Sequence, residues 1–217
     1  MRKAFTLLEL AITVGVMSIL ITMAMVSREF VVNARIKKLI FEINEMEVSI
    51  KSFYNLYNGL PGDLKNASTF FDAAIDGDGD DKVEYQDEVY NAMLQMQNAN
   101  LINGSFSATE LDYAYRSNFR SGAVIRLVFT EELDGFFVPN TNVIQIGQAN
   151  DGDNAIFTPE QAEIFDGKFD DSKPNSGRVT YRIFGTTTAE SCTNNTQSYY
   201  VANAEIGCNL VFKLDFL

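Results

Sequence analysis

Met1-Arg2-Lys3-Ala4-Phe5-Thr6-Leu7-Leu8-Glu9 opens the chain, and from Phe5 to Val26 the only ionisable side chain is Glu9. As a helix this apolar run of 22 residues is about 33 Å long at ~1.5 Å per residue, enough to cross a bilayer core of ~30 Å. Arg2 and Lys3 precede the run; Arg28, Arg35, Lys37 and Lys38 follow it. Basic residues on the N-terminal side hold that end in the cytoplasm and send the remainder outward. A secretory signal begins in the same way, but its apolar core is shorter and a small-residue cleavage site follows it. Ala24 and Ser27 are small here, yet the helical pattern continues through Arg28–Lys38, which favours a membrane anchor.

Glu9 sits where an unpaired carboxylate costs several kcal/mol. A snorkelling glutamate near the helix end is one solution. A free α-amino group on a neighbouring subunit is the other, and it makes Glu9 a functional residue.

The string Lys3-Ala4-Phe5-Thr6-Leu7-Leu8-Glu9, with its basic leader and long apolar run, resembles the class III signal of type IV pilins and type II secretion pseudopilins. The resemblance implies a prepilin peptidase cut between Ala4 and Phe5, N-methylation of Phe5, and an assembly role for Glu9. It also implies an assembly platform in the inner membrane and a homo- or hetero-oligomeric filament. Ala4 stands where the family usually has Gly, and no Pro occurs before Pro61, so the helix is expected to be straighter than in major pilins, with Gly15 the place for flexibility. Tyr57–Asp63 and Leu101-Ile102-Asn103-Gly104 also look like segments of a subset of prepilin-like proteins.

Beyond the apolar run, Leu39, Ile43, Met46, Ile50, Phe53 and Tyr57 recur at spacings of four and three, one stripe of an amphipathic helix. Glu42, Asn44, Glu45, Glu47 and Lys51 fall between them and are expected on the solvated side. A parallel coiled coil would use the same stripe, but the strands that follow need cover. Gly59, Pro61 and Gly62 end the helix. The chain thus divides into a leader (1–4), a membrane or filament-core helix (5–26), the amphipathic half of that helix (27–58) and a head (59–217).

In the head, Tyr85–Ala99 reads as a helix with Val89, Met93 and Met96 on its core side. Thr158-Pro159-Glu160 starts another, expected to run to Phe165. Strand signals lie at Ala123–Phe129, Phe136–Val138, Val143–Ile146, Val179–Phe184, Ser198–Ala202 and Leu210–Phe216, the last alternating as if half-buried. The expected fold is α+β: a long helix packed on a C-terminal antiparallel sheet.

A formal charge of −12 makes sequence-independent nucleic-acid binding an unsuitable role. There is no His and there are just two Cys, which disfavours a zinc site and leaves a Ser/His or Cys/His catalytic pair without its base. If the domain is exported, Cys192 and Cys208 read as one disulfide, with two unrelated buried thiols as the alternative. Asp76-Gly77-Asp78-Gly79-Asp80 resembles the start of an EF-hand-like loop, with Asp87 or Glu88 near its twelfth position. Position six is Asp81 where that loop has Gly, so a structural calcium competes with a plain acidic loop. Asp151-Gly152-Asp153-Asn154 reads mainly as a turn, and Asp166, Asp170 and Asp171 as a solvated loop. The expected function is a non-enzymatic subunit of a pilus or secretion pseudopilus, made in the inner membrane with its head periplasmic. A membrane-anchored binding or hydrolytic domain is the alternative, since paired carboxylates can do acid/base work without His.

Overall fold

The computed structural model describes residues 6–72, 74–84, 87–108, 113–131, 140–148, 152–183, 187–194 and 197–216. Helix α1 runs unbroken over Leu7–Tyr57, passing through Gly15. At 51 residues it is about 76 Å long at ~1.5 Å per residue. It is the one helix among the described residues long and apolar enough to cross a membrane. Leu8, Leu10, Ile12, Val14, Ile19 and Ile21 are each more than half exposed, so the apolar surface continues around the helix. The hydroxyls of Thr13, Ser18, Thr22 and Ser27 donate to carbonyls three or four residues back at 2.7–2.9 Å. That back-bonding suits an apolar surrounding, where an open donor has no water to use.

The second half of α1 is one wall of the core. Ile36, Leu39, Ile43, Met46, Ile50 and Phe53 are at most 2% exposed, and each such burial is worth about 1.5–3 kcal/mol. Tyr57 is only partly buried and packs against the rings of Phe53, Phe70 and Phe71. Two acidic residues depart from the expected solvated side. Glu42 is buried and accepts from the Ser117 hydroxyl, and Glu47 pairs with Arg178 at 2.6 Å. A partner in the head turns each inward, which helical spacing does not reveal. Asn58, not Gly59, stops the helix: it is left-handed at φ 53°, and its N–H donates to the Tyr54 carbonyl.

Short α2 (Ala67–Phe70) precedes α3 (Asp87–Asn98), which buries Val89, Met93 and Met96 as expected. β1 (Tyr115–Arg116), β2 (Ala123–Thr130) and β3 (Thr141–Gln148) form an antiparallel meander. Next come α4 (Pro159–Phe169), β4 (Val179–Tyr181), α5 (Ala189–Cys192), the β5–β6 pair (Thr193–Asn194, Ser198–Tyr199) and β7 (Leu210–Lys213). The main sheet has the order β1-β2-β3-β7-β4 with every pairing antiparallel, so the chain is α+β with a C-terminal antiparallel sheet. The expected strand at Phe136–Val138 and the Phe184 end of another lie outside the described residues. Strand pairing stops at Tyr199 rather than Ala202, because Val201 and Ala202 form a turn.

Helix α4 continues past Phe165 to Phe169 because both rings are used: Phe165 meets Phe157 and Phe169, and Phe169 meets Phe212 of β7. Thr158 and Gln161 close a reciprocal cap at its start. β7 is not half-buried, since Leu210, Val211 and Phe212 are all at 0% exposure. The 152–154 segment lies against the sheet's second face: the Gly152 carbonyl accepts from Gln145 and Asn209, and Asp153 pairs with the buried Arg126 and Arg182. A Cβ on Gly147 would meet the Gly152 carbonyl at 1.8 Å, so this close approach demands glycine.

Candidate functional site

Ala4 and Phe5, the expected processing junction, lie outside the described residues. The first turn that follows them is built around Glu9. Thr6 is the N-cap of α1 in extended conformation, and the Glu9 N–H donates to its hydroxyl at 3.2 Å. Glu9 returns the bond through Oε2, which accepts from the Thr6 N–H at 3.0 Å and from the Thr6 hydroxyl at 2.9 Å. This reciprocal cap satisfies helix donors that have no partner within the helix, and it places negative charge at the positive end of the helix dipole. The Glu9 carboxylate therefore folds back toward the N-terminal end of the chain. Thr6-Leu7-Leu8-Glu9 has the T-x-x-E spacing of a capping box, a sequence signal that assigns Thr6 a role of its own.

The acidic loop lies at the opposite end of α1, and a residue outside the Asp76–Asp80 spacing organises it. Asp63 is 1% exposed. Its Oδ1 accepts from the N–H groups of Gly79 and Asp80 at 2.7 and 3.2 Å, and its Oδ2 from that of Asp81 at 2.8 Å. Gly77 passes so close that an added Cβ would sit 2.4 Å from the Asp63 carbonyl carbon. Burial raises the Asp63 carboxyl above its ordinary range, with the three N–H donors opposing. Glu88 is raised too, by burial and by the charges of Asp63 and Asp78.

One oxygen each from Asp63, Asp78 and Glu88 lies within 4.8 Å of the others, a hard-oxygen set of the kind calcium takes. Asp76 and Asp80 point their carboxylates elsewhere: Asp76 accepts from the Ser68 N–H and hydroxyl, and Asp80 pairs with Lys82. Asp87 stands in the first turn of α3, where acidic side chains favour the helix.

The second acidic cluster is not a solvated loop throughout. Asp166 is at 0% exposure and accepts from the Tyr199 hydroxyl at 2.9 Å. Burial, with Asp170 beside it, pushes its carboxyl up to about 9. Asp170 instead accepts from the N–H groups of Asp171, Arg178 and Val179. Four-residue spacing on α4 carries Asp166 inward from an acidic stretch, a departure composition does not signal.

Cys192 and Cys208 form the expected disulfide, both at 0% exposure with Cα atoms 4.9 Å apart. It ties α5 to the approach to β7, and the Cys208 backbone in turn bridges to Phe157. No family model, no curated protein and no solved structure matches this chain.

Proposed function

We propose that this chain is a non-enzymatic structural subunit, a pilin, minor pilin or pseudopilin, of a type IV pilus-like filament or secretion pseudopilus. The observation that carries the reading is the division of α1: its C-terminal half closes the head's core, while Leu7–Val26 presents exposed apolar side chains around the helix with Glu9 as the one ionisable group of that stretch. Such a surface needs an apolar surrounding, first the inner membrane and then the helices of neighbouring subunits. A prepilin peptidase would cut between Ala4 and Phe5, and an assembly platform would draw the helix out of the bilayer.

Within the bilayer the Thr6 cap occupies Glu9. In the filament the methylated Phe5 amine of a neighbouring subunit would take over that carboxylate, a charge-assisted bond in a low-dielectric setting that fixes axial register. Glu9→Ala tests this: the variant should be processed normally and fail to enter filaments, and normal filaments from it would overturn the reading. A structural calcium remains part of the proposal with a changed donor set, Asp63 joining Asp78 and Glu88.

A further inference from the structure

We infer that the membrane-facing base of the head seats the phosphate of an anionic phospholipid headgroup in a recess between Arg116, Asn118, Arg120 and Gly122, beside Arg35 of α1. The inference rests on the membrane reading of α1 and names what the head meets when that helix is in the bilayer. The recess encloses about 200 Å³ and is lined by residues 116–118 and 120–123.

Charge is segregated along the head. The chain carries −12 overall, yet Arg28, Arg35, Lys37 and Lys38 follow the apolar run of α1, Arg120 lies near Arg35, and Arg116 at the end of β1 lines the same recess as Arg120. The Asp63 loop lies at the other end, after Asn58. From Arg35 to Asn58 the axial distance is about 35 Å at ~1.5 Å per residue. Glu29 and Glu160 line an adjoining groove against α4 and not this recess. Glu42 is turned inward to Ser117.

Arg120 is the residue whose needs the head leaves unmet. Its Nη2 donates to Gln161 at 3.2 Å, but its Nε–H is buried with no acceptor among the described residues. Burial and the nearby charge of Arg35 both disfavour its charged form. An anion between the two guanidiniums offsets the repulsion, and arginine suits phosphate geometry.

The height along α1 agrees. Arg35 stands nine residues past Val26, about 13 Å along the axis. The polar layer of a bilayer is ~5–7 Å thick on each side, and an extended arginine side chain spans much of the remainder.

The test uses the full chain in bilayers of phosphatidylcholine alone and of phosphatidylcholine with phosphatidylglycerol, reading amide exchange over residues 116–123. Exchange should slow about tenfold in the anionic bilayer, an effect weakened by salt. Arg35→Gln and Arg120→Gln should each remove it, and Arg35→Gln changes an exposed side chain, so its head keeps the wild-type melting temperature. Equal exchange in both bilayers overturns the inference. So does slowing produced by inorganic phosphate in the neutral bilayer, or slowing in that bilayer that grows with protein-to-lipid ratio, which points to a neighbour's acidic loop. Extraction by carbonate is read separately: a chain that washes off overturns the membrane reading and this seat with it, while an embedded chain without lipid dependence overturns the seat alone.

Discussion

The Glu9 carboxylate and Thr6 hold one another across the first turn of α1, at 2.9 Å from the hydroxyl and 3.0 Å from the backbone N–H. The acidic group of the apolar run is thereby satisfied inside its own chain. In the proposed filament Thr6 would be a positioning residue, setting where the carboxylate meets a neighbour's amine.

Thr6→Ala should cost about 1 kcal/mol at the helix start. Amide exchange at Leu7–Leu10 in detergent should accelerate about fivefold, with Thr6→Ser restoring the wild-type rate. Unchanged exchange in the alanine variant would remove the cap from the account.

Asp63→Asn replaces an acceptor of three backbone N–H groups with an amide that turns a donor toward one of them. A loss of about 1–3 kcal/mol is expected, read as a lower denaturant midpoint. The same variant tests calcium. Calcium should raise the wild-type melting temperature and chelator should reverse it, while Asp63→Asn and Glu88→Gln should abolish the shift and Asp76→Asn should leave it. A wild-type melting temperature indifferent to chelator contradicts that donor set.

Asp166 gives stability a particular pH slope. Its folded carboxyl is raised to about 9, against roughly 3.9 in an unfolded chain. The folded state therefore holds a proton that the unfolded state releases between these values, and stability falls as pH rises through that window. Asp166→Asn mimics the protonated form, accepting from Tyr199 and donating toward Asp170. It should flatten the decline and gain about 1 kcal/mol at pH 8, or roughly 2–4 °C in melting temperature. A variant that declines with pH as steeply as wild type would assign the slope to other groups.

Replacing Cys192 and Cys208 together by Ser should cost about 3 kcal/mol through the freed loop of the unfolded chain, lowering the melting temperature by roughly 6–12 °C. Reducing the wild-type protein should do the same, with little further effect on the double variant.

The long helix, its core stripe, the α3 and α4 starts and the cysteine pairing were legible because each has a simple cause: period 3.6, capping chemistry, or a chain with two cysteines to pair. Glu42, Glu47 and Asp166 were misplaced because their partners Ser117, Arg178 and Tyr199 stand far away in sequence. β7 alternated in sequence yet lies buried on both faces, since the cover comes from Gly152–Asn154, read as a mere turn. At the acidic loop the spacing marks the Asp76–Asp80 string but not Asp63, which only the turn after α1 brings into place. The Thr6–Glu9 cap also has a local cause, the T-x-x-E spacing that puts Glu9 at the third helical position.

The most direct measurement is the intact mass of this chain in filaments sheared from cells. The mass should be that of a polypeptide beginning at Phe5, lacking Met1–Ala4, carrying one N-terminal methyl group and an oxidised Cys192–Cys208 pair. A chain that retains Met1 and stays wholly in the membrane fraction would contradict it.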